Sequence, residues 1–427
     1  MSRISEYLLE TIPYERDSAA ILCRLRALPG LVALDSGLGL DSNGRYDIIS
    51  ALPSVLLSNP AQQVDMFARV QQALNQERPT LPMPDALQAL PFSGGALGYF
   101  AYDASANIGI YHWAIVVDHQ HQHTHLFALP SCSSQTWEQV KDCLGQEILS
   151  PKEFELSQAF QANFSAAQYA DAFKRIQGYI QAGDCYQVNL AQRFSSGYSG
   201  DPLSAYLRLR KNIHSPFAGF MRTESGAVLS FSPERFIRVH DAQVLTQPIK
   251  GTRPRSADPI QDKALAQELR ESDKDRAENL MIVDLLRNDL GTICTTGSIK
   301  VEQLFELHSF SNVHHLISSI RAQLAPEHAA LDLLRNCFPG GSITGAPKKR
   351  AMEIIAELEP DPRQVYCGTL GYMGFDGNID SNIMIRTLLC TQGEIYCWGG
   401  GGIVADSICA QEYQECFDKI NNIINKL

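Results

Sequence analysis

The stretch Pro248-Ile249-Lys250-Gly251-Thr252-Arg253-Pro254-Arg255 places a lysine between a proline and a glycine, in a turn that strands flank. Proline fixes φ and glycine allows a sharp reversal, so the pattern predicts a rigid segment that holds Lys250 in place. A lysine becomes a nucleophile only when its amine is neutral, which requires burial or a nearby positive charge such as Arg253 or a bound metal. A lysine in such a turn is most often exposed to water, so this segment alone leaves both interpretations open.

Strand and helix patterns alternate on both sides of this segment. Strands are predicted at 185–195, 216–222, 227–240 and 243–250. Helical periodicity and end signals predict helices at 166–182, 259–290, 347–358 and 410–427. Strands separated by such long excursions are typical of an α+β fold in which helices pack outside β-sheets.

The first 150 residues form a separate α+β region in this prediction. They combine a helix at 60–76 with strands at 94–100 and 113–117. Around 149–160 the pattern loosens into a polar linker. We therefore predict two domains, at residues 1–150 and 155–427.

Composition excludes two classes of partner. The formal charge of −11, from 36 Lys+Arg against 47 Asp+Glu, argues against nucleic acid, because phosphate binding needs a basic face. No apolar run reaches the roughly 20 residues that a membrane span requires. Eleven cysteines without framework spacing indicate reduced thiols. We therefore expect a cytoplasmic protein that binds neither nucleic acid nor membrane.

Four carboxylates on two predicted helices give the clearest chemical pattern. Asp275 and Glu278 lie three residues apart on one helix, so they share a helical face. Glu412 and Glu415 have the same spacing on the last helix. If the two faces meet, they form an oxygen-rich site with excess negative charge, which suits Mg²⁺. Paired acids on helices are usually solvated, so the pattern alone leaves that alternative open.

Arg386 lies within the apolar strand predicted over 382–388, where a guanidinium is unfavourable unless an anion pairs with it. Its planar fork suits a carboxylate, which is either a ligand's or part of a structural ion pair. The four glycines at 399–402 would let a ligand approach the backbone closely, because glycine has no Cβ. Such a run is also typical of a plain flexible turn.

Seven segments occur in a fixed order between residues 155 and 427. They are 183–190, 232–236, 248–255, 276–290, 338–348, 385–387 and 399–407. Together they resemble the chorismate-utilising enzyme family, which includes anthranilate, isochorismate and aminodeoxychorismate synthases. The resemblance implies two facing β-sheets with helices outside them, and a chorismate-binding catalytic domain at 155–427.

The resemblance also implies the ligand contacts. Glu278 and Glu415 would bind the Mg²⁺ ion that holds the ring carboxylate of chorismate, and Asp275 and Glu412 would lie in its water shell. A second set would contact the substrate itself. It comprises Arg386 and Tyr366 on the enolpyruvyl carboxylate, the backbone of Gly400, Gly401 and Gly402 at the same end, and Ser342, Gln187 and Thr252.

Catalytic roles follow from the same resemblance. Lys250 would attack chorismate, Glu234 would protonate the departing C4 hydroxyl, and His315 would lie near the reacting ring. The lysine selects one branch of the family, because anthranilate synthases carry alanine there and aminodeoxychorismate synthases carry lysine. Gln187 stands where isochorismate synthases have a lysine base, and a glutamine cannot activate water as a base.

Two of these residues have plainer alternatives. Ser342 precedes Pro347, which opens the helix predicted to end near residue 358, so its hydroxyl could serve that helix as a cap. His314 and His315 also form a simple polar pair before what reads as an apolar helix.

We therefore expect amination of chorismate at C4, towards 4-aminobenzoate and folate. Ammonia is expected from a separate glutamine amidotransferase subunit, because the chain has no Gly-x-Cys-x-Gly elbow. Anthranilate formation and a non-catalytic chorismate-binding regulator are the alternatives. In the first region, Ser36, Arg45 and Tyr46 fall where members of the family hold a tryptophan pocket, so tryptophan binding is a further expectation.

Overall fold

The computed structural model describes residues 3–37, 44–59, 64–310 and 313–427. Strands and helices alternate along the chain. The strands are β1 (Leu8–Ile12), β2 (Val32–Asp35), β3 (Tyr46–Ser50), β4 (Val55–Asn59), β5 (Gly95–Phe100), β6 (Ala106–Tyr111), β7 (Trp113–Asp118), β8 (His123–Ala128), β9 (Glu155–Leu156), β10 (Gln161–Ala162), β11 (Gln187–Ser199), β12 (Phe217–Thr223), β13 (Gly226–Ser232), β14 (Arg235–His240), β15 (Gln243–Thr246), β16 (Ile249–Pro254), β17 (Lys300–Ser309), β18 (Val313–Gln323), β19 (Gly345–Ala346), β20 (Thr369–Gly374), β21 (Ile379–Asn382), β22 (Thr387–Thr391) and β23 (Glu394–Ile403). The helices are α1 (Ala19–Leu25), α2 (Met66–Glu77), α3 (Asp85–Gln88), α4 (Ser134–Gly145), α5 (Ala166–Ala182), α6 (Pro202–Arg210), α7 (Pro259–Glu271), α8 (Asp273–Gly291), α9 (Ala330–Cys337), α10 (Lys348–Leu358) and α11 (Cys409–Ile424).

The strands form two antiparallel sheets. The first has the order β1-β8-β7-β3-β2-β12-β13-β22-β23-β11-β10, and β9 and β19 also pair with β11. The second has the order β16-β18-β15-β14-β21-β20-β5-β6-β4, and β17 also pairs with β18. One apolar core includes Val32 and Val228 from the first sheet and Phe236 and Leu370 from the second. The sheets therefore face each other across this core, and the predicted α+β fold is confirmed.

Helices cover the outer faces of the sheets. Leu22 of α1, Val140 of α4 and Tyr206 of α6 belong to a second core on the first sheet. Tyr169 of α5 and Ile354 of α10 belong to a third core beside β11 and β23. Across the ranges that the structure describes, no helix is both long enough and apolar enough to cross a membrane.

Strands from the first 150 residues are built into both sheets. β2 pairs with β12, which joins Ala33 to Phe220, and β5 pairs with β20, which joins Leu97 to Tyr372. The two predicted regions therefore share their sheets and the core between them. The division into domains at residues 1–150 and 155–427 stays a prediction.

The helix predicted at 166–182 is confirmed as α5. Ser165 accepts a hydrogen bond from the backbone N–H of Gln168, and the Gln168 side chain accepts one from the backbone of Ser165. This capping box fixes the start of the helix. Gly183, with a φ of +82°, ends it in the left-handed conformation that glycine adopts readily.

The single helix predicted at 259–290 is wrong, because the structure has two helices there. Ser272 separates α7 from α8 with an extended ψ of 107°, and its hydroxyl accepts a hydrogen bond from the backbone of Asp275. Serine favours this capping conformation over a continued helix. The chain therefore turns at Ser272, and α8 starts immediately before Asp275.

Two long predicted strands are each divided in the structure. Pro233 and Glu234 separate β13 from β14, and Gln247 and Pro248 separate β15 from β16. Proline lacks the N–H that a strand ladder needs, which explains both interruptions.

Two helix predictions need correction. His314 and His315 lie in β18, so the apolar helix predicted after them is wrong, and its isoleucines instead pair with strands on both edges. The helix predicted at 60–76 is α2, which begins at Met66 after an Asp65 cap. Residues 60–63 of that prediction lie outside the described residues.

Candidate active site

Lys250 lies in strand β16 rather than in the predicted turn. The register between β16 and β18 shifts between Lys250 and Thr252, which marks a bulge. Gly251 forms this bulge with a φ of +82°, a conformation in which a residue with a Cβ would be strained. From this position Lys250 Nζ donates a hydrogen bond to the backbone oxygen of Ser342 over 2.9 Å.

The surroundings of Lys250 favour its neutral form. Burial lowers the pKa of Lys250; the carboxylates of Glu278 and Glu234 oppose this effect, and Lys419 adds to it. A lowered pKa raises the fraction of free amine that can act as a nucleophile. Arg253 does not supply the second positive charge, because its guanidinium is held by two carboxylates of the neighbouring helices. Lys419 of α11 supplies it instead.

Glu234 lies in the gap between β13 and β14 and is 4% exposed. The hydroxyl of Ser342 donates to Glu234 Oε1 over 3.0 Å. Burial raises the pKa of Glu234 to about 7, against the opposing effects of Lys250 and Ser342. A carboxyl with this pKa carries its proton near neutral pH and can act as an acid. Ser342 lies in the short 3₁₀ turn Gly341–Ile343, so the alternative that it caps the next helix is wrong.

His315 is buried on β18 opposite Thr252, whose hydroxyl lies 2.9 Å from the ring Nδ1. Burial lowers the pKa of His315 to about 3, and the charge of Arg386 acts in the same direction. The imidazole is therefore neutral near pH 7, with one donor and one acceptor nitrogen. It can hydrogen-bond a substrate but adds no positive charge.

The four predicted carboxylates lie on α8 and α11. Glu412 and Glu415 approach Gly401, where a Cβ would lie 2.9 Å and 3.4 Å from their side chains. Burial raises the pKa of Glu278, and the charges of Asp275 and Glu412 add to this effect. Carboxylates of the two helices are therefore close enough to repel one another.

Three of these four carboxylates have a cation within 4 Å. Glu278 is the exception, since no lysine or arginine of the described ranges comes that close to it. The pairs are Lys419–Glu415 at 2.6 Å, Lys274–Glu412 at 3.7 Å and Arg253–Asp275 at 3.3 Å.

The arrangement of these carboxylates bears on the predicted Mg²⁺ site. Over the described part of the chain, no three His, Cys, Asp or Glu side chains are clustered so as to enclose a metal ion. Mg²⁺ commonly uses only one or two protein carboxylates and completes its shell with water and ligand oxygens. Glu278 and Glu415 fit that mode, because Glu278 lacks an ion pair and 45% of the Glu415 side chain is exposed.

Arg386 lies between β21 and β22, so the single strand predicted over 382–388 is wrong. Its φ of +52° is in the left-handed region, which residues other than glycine rarely adopt and which often marks functional positions. Burial lowers the pKa of Arg386, and no carboxylate among the described residues opposes this effect. The alternative of a structural ion pair is therefore wrong within those residues, and the guanidinium is free to bind an anion.

Tyr366 is buried in the core between the sheets. Its ring lies parallel to that of Trp398, with the centroids 6.0 Å apart and the planes at 5°. The guanidinium of Arg363 lies 5.7 Å from the centroid of the same ring. These contacts hold the phenol ring in one orientation.

The glycines at 400–402 belong to β23, which pairs with β11, so the alternative of a flexible turn is wrong. A Cβ on Gly400 would lie 2.7 Å from the side chain of Ala191, and one on Gly402 would lie 2.7 Å from Gln187 Nε2. Gln187 is fully buried, and its amide has no hydrogen-bond partner in the ranges described. Buried side-chain amides normally have a hydrogen-bond partner. The unpaired amide of Gln187 beside these glycines therefore indicates a place where a polar ligand can bind.

Lys419 is a site residue that the sequence reasoning missed. Its Nζ donates to the backbone oxygen of Gly400 over 2.7 Å. Its side chain is 45% exposed. Partial burial opposes its charge, but the carboxylate of Glu415 outweighs this effect and raises the pKa of Lys419. The signal for it was present, because Lys419 follows Glu415 by four residues on one helix and must share its face.

A cavity of about 480 Å³ is lined by other residues. Ser36, Arg45 and Tyr46, the three residues predicted to bind tryptophan, all line it. The hydroxyl of Ser36 donates to Asp47 over 2.8 Å, and the Arg45 guanidinium lies 2.7 Å from Asp118. Tryptophan binding there stays a prediction.

Comparison with known proteins shows the family to which the chain belongs. The model of the chorismate binding enzyme family matches residues 40–425, so the chain belongs to this family. Aminodeoxychorismate synthase component 1 of Salmonella typhimurium is 43% identical over 448 residues, which cover 98% of this chain and 97% of the relative. Anthranilate synthase component 1 of Pseudomonas aeruginosa is 34% identical, over 94% of this chain and 90% of the relative. The crystal structure of anthranilate synthase component I from Streptococcus pneumoniae superposes with a TM-score of 0.77 at 29% identity, covering 89% of this chain and 92% of that chain.

Proposed function

We propose that the protein aminates chorismate at C4, as the component of an aminodeoxychorismate synthase that converts chorismate and ammonia to 4-amino-4-deoxychorismate, towards 4-aminobenzoate and folate. The observation that carries this proposal is the pair formed by Lys250 and Glu234. Burial lowers the pKa of the lysine and raises the pKa of the carboxyl to about 7. Burial therefore raises both the neutral fraction of the nucleophile and the protonated fraction of the acid. The name of the Salmonella relative supports the same activity.

In the first step, the neutral amine of Lys250 attacks C2 of chorismate while Glu234 donates its proton to the C4 hydroxyl. A C2–Nζ bond forms, the two ring double bonds shift from C1=C2 and C5=C6 to C1=C6 and C4=C5, and the C4–O bond breaks with release of water. The Ser342 hydroxyl keeps Glu234 oriented through their 3.0 Å hydrogen bond. His315, being neutral, hydrogen-bonds the reacting ring without adding charge.

In the second step, ammonia adds at C4 and the two ring double bonds shift back to C1=C2 and C5=C6. The C2–Nζ bond then breaks, which returns Lys250 as a free amine. The extra proton on the new C4 nitrogen passes to the Glu234 carboxylate, so both groups regain their starting states. Atoms balance as chorismate plus ammonia giving 4-amino-4-deoxychorismate plus water.

Two cooperating sets of groups hold the substrate, one at the enolpyruvyl carboxylate and one along the rest of the molecule. Arg386 and Tyr366 bind the enolpyruvyl carboxylate, with the guanidinium supplying a charge-assisted hydrogen bond. The backbone of Gly400, Gly401 and Gly402 approaches this end of the molecule. Ser342, Gln187 and Thr252 complete the contacts, and the unpaired amide of Gln187 supports its place among them.

Glu278 and Glu415 are the residues that would hold Mg²⁺, with Asp275 and Glu412 in its water shell. When bound there, the ion offsets the charge of the ring carboxylate and fixes the ring. The charge of the nearby carboxylates, raising the pKa of Glu278 together with burial, supports a cation at this place.

Ammonia is proposed to come from a separate glutamine amidotransferase chain. The name "component 1" of the relatives implies a second component in those proteins. This chain has no Gly-x-Cys-x-Gly elbow of its own. The isolated protein should therefore use ammonium directly and should use glutamine only after an amidotransferase is added.

Product identification tests the proposed function. The protein, chorismate, Mg²⁺ and ammonium should give 4-amino-4-deoxychorismate, separated by chromatography and identified by mass and ultraviolet spectrum. Anthranilate as the main product would instead make the protein an anthranilate synthase, an activity against which Lys250 argues. Binding of chorismate without turnover would support the alternative of a non-catalytic regulatory protein.

A further inference from the structure

Trp398 carries an indole N–H that no acceptor meets. The residue is 3% exposed, and its Nε1 has no hydrogen-bond partner among the residues that the structure describes. The chain has two other tryptophans. Trp113 donates to the backbone oxygen of Ala51 over 2.7 Å, and Trp137 lies on α4 beside Lys141. Buried donors without an acceptor are rare in folded proteins, so the N–H of Trp398 requires an explanation.

The position of Trp398 on β23 places it with the substrate glycines. Alternate residues of a strand share a face, so Trp398, Gly400 and Gly402 face the same side. Asn189 of β11 pairs with Gly402, and the side chains of Asn189 and Gln187 also contain buried nitrogens without a partner in the described ranges. Three side chains with unpaired polar atoms therefore lie on one face of these two adjacent strands.

Tyr366, one of the two residues proposed to bind the enolpyruvyl carboxylate, is a neighbour of Trp398, and the strand that follows Arg386 pairs with β23. Tyr366 lies parallel to its indole ring at 6.0 Å. Leu388 pairs with Cys397, so the start of β22, which follows Arg386 directly, runs alongside Trp398. The unpaired N–H thus belongs to a ring stacked on Tyr366, on a strand paired with β22, which begins directly after Arg386.

We propose that the indole N–H of Trp398 donates a hydrogen bond to the enolpyruvyl carboxylate of the bound substrate. This inference rests on the proposed function and adds a third donor to Arg386 and Tyr366. Trp398 is only 3% exposed, so a substrate that bonds its N–H must displace the side chains over it. A hydrogen bond to a carboxylate is charge-assisted, so Trp398 contributes to substrate affinity and selects substrates that carry this group. It makes and breaks no covalent bond.

The test replaces the donor and keeps the ring. Trp398→Phe should raise KM for chorismate by about 10- to 100-fold, because one hydrogen bond to a charged group is lost, and kcat should stay within about threefold. Trp137→Phe is the matched control and should change neither value. A competitive inhibitor with the ring carboxylate but without the enolpyruvyl arm should keep its Ki in Trp398→Phe.

Two kinetic outcomes would overturn the role of Trp398. One is an unchanged KM, and the other is an equal rise of KM and of the Ki of the armless inhibitor, which would mean that the ring only shapes the pocket. If the wild-type protein does not turn over chorismate, the proposed function is wrong. The rates measured for the wild type in the same experiment show this separately from the role of Trp398.

A second measurement uses no variant of Trp398, so it does not depend on whether such a variant folds. In wild-type protein with ¹⁵N-labelled indole, chorismate should move one indole signal downfield, and this signal should persist in Trp137→Phe. The Trp113 signal should stay in place, because its N–H already has an acceptor. The absence of any moved indole signal at saturating chorismate would contradict the proposal.

Discussion

The side chains of Lys250 and Glu234 are bound to the same residue, because Lys250 Nζ donates to the carbonyl oxygen of Ser342 and the Ser342 hydroxyl donates to Glu234. The distances are 2.9 Å and 3.0 Å. Burial acts on both groups in favour of their neutral forms, lowering the pKa of the lysine and raising that of the carboxyl to about 7. The serine therefore connects a nucleophile to its acid, and their pH dependence should be coupled.

Lys250→Ala should abolish formation of 4-amino-4-deoxychorismate while chorismate still binds, because Arg386 and Tyr366 remain. Wild-type protein with chorismate and Mg²⁺ but no ammonia should carry a substrate-derived mass on the peptide containing Lys250, measured by mass spectrometry. The alanine variant should lack this adduct. Lys250→Arg should fare no better, because a guanidinium stays protonated.

The control for this prediction is Lys263→Ala, which removes an exposed lysine of α7. Its adduct and turnover should match those of the wild type. A Lys250→Ala variant that makes 4-amino-4-deoxychorismate at a near wild-type rate would rule out covalent catalysis by this lysine.

The pH dependence of kcat should reflect the protonation of the Glu234 carboxyl. The carboxyl must carry its proton to expel the C4 hydroxyl, so kcat should fall as pH rises through about 7. Glu234→Gln should lower kcat by about 100- to 10,000-fold, because an amide cannot transfer a proton. Initial rates from pH 5 to 9 measure both effects. Glu224→Gln, at an exposed glutamate, should keep the wild-type profile, and a flat wild-type profile through pH 7 would exclude Glu234 as the acid.

Glu234 should also lower the free energy of unfolding above neutral pH. Its pKa is about 7 in the folded protein against an ordinary 4.5, so the folded state binds the proton more tightly than the unfolded state. Stability from this group is lost as pH rises from 4.5 towards 7, by roughly 3 kcal/mol in total. Glu234→Gln removes the charge, so urea unfolding should show a more stable variant at pH 8 and little difference at pH 4.5. A variant that is less stable than wild type at pH 8 would contradict the buried-charge explanation.

Glu278→Gln and Glu415→Gln should each raise the Mg²⁺ concentration for half-maximal activity by tenfold or more, and lower the maximal rate, because each removes one formal charge from the metal site. Titration of activity with MgCl₂ after chelation measures the effect. Asp284→Asn is the matched control, since this exposed aspartate lies on the same helix α8 and pairs with Arg287. If both glutamate variants keep the wild-type dependence on Mg²⁺, the metal binds at another site.

Features set by neighbouring residues could be predicted from the sequence. The start of α5 depends on Ser165 and Gln168, and its end depends on Gly183, all within reach of a local pattern. The pairing of carboxylates on α8 and α11 followed from helical spacing in the same way. The fold class followed from the order of such elements and from the family resemblance.

Features set by distant strands could not be predicted. The bulge at Gly251 exists because β16 pairs with β18, and nothing in the local pattern distinguishes it from a turn. The left-handed backbone of Arg386 likewise depends on how β21 and β22 meet. Helical spacing places Lys419 on the face of Glu415, but its contact with Gly400 depends on how α11 packs on β23.

The pairing of β5 with β20 has a consequence for synthesis. Phe100 ends one strand and Thr369 begins the other, so about 270 residues separate them. At a translation rate of about 5–20 residues per second, β5 leaves the ribosome roughly a quarter of a minute to a minute before its partner. During that interval one edge of β5 has no strand to bind, and an open edge favours aggregation. The yield of soluble protein should therefore depend on temperature and on chaperones that bind the growing polypeptide.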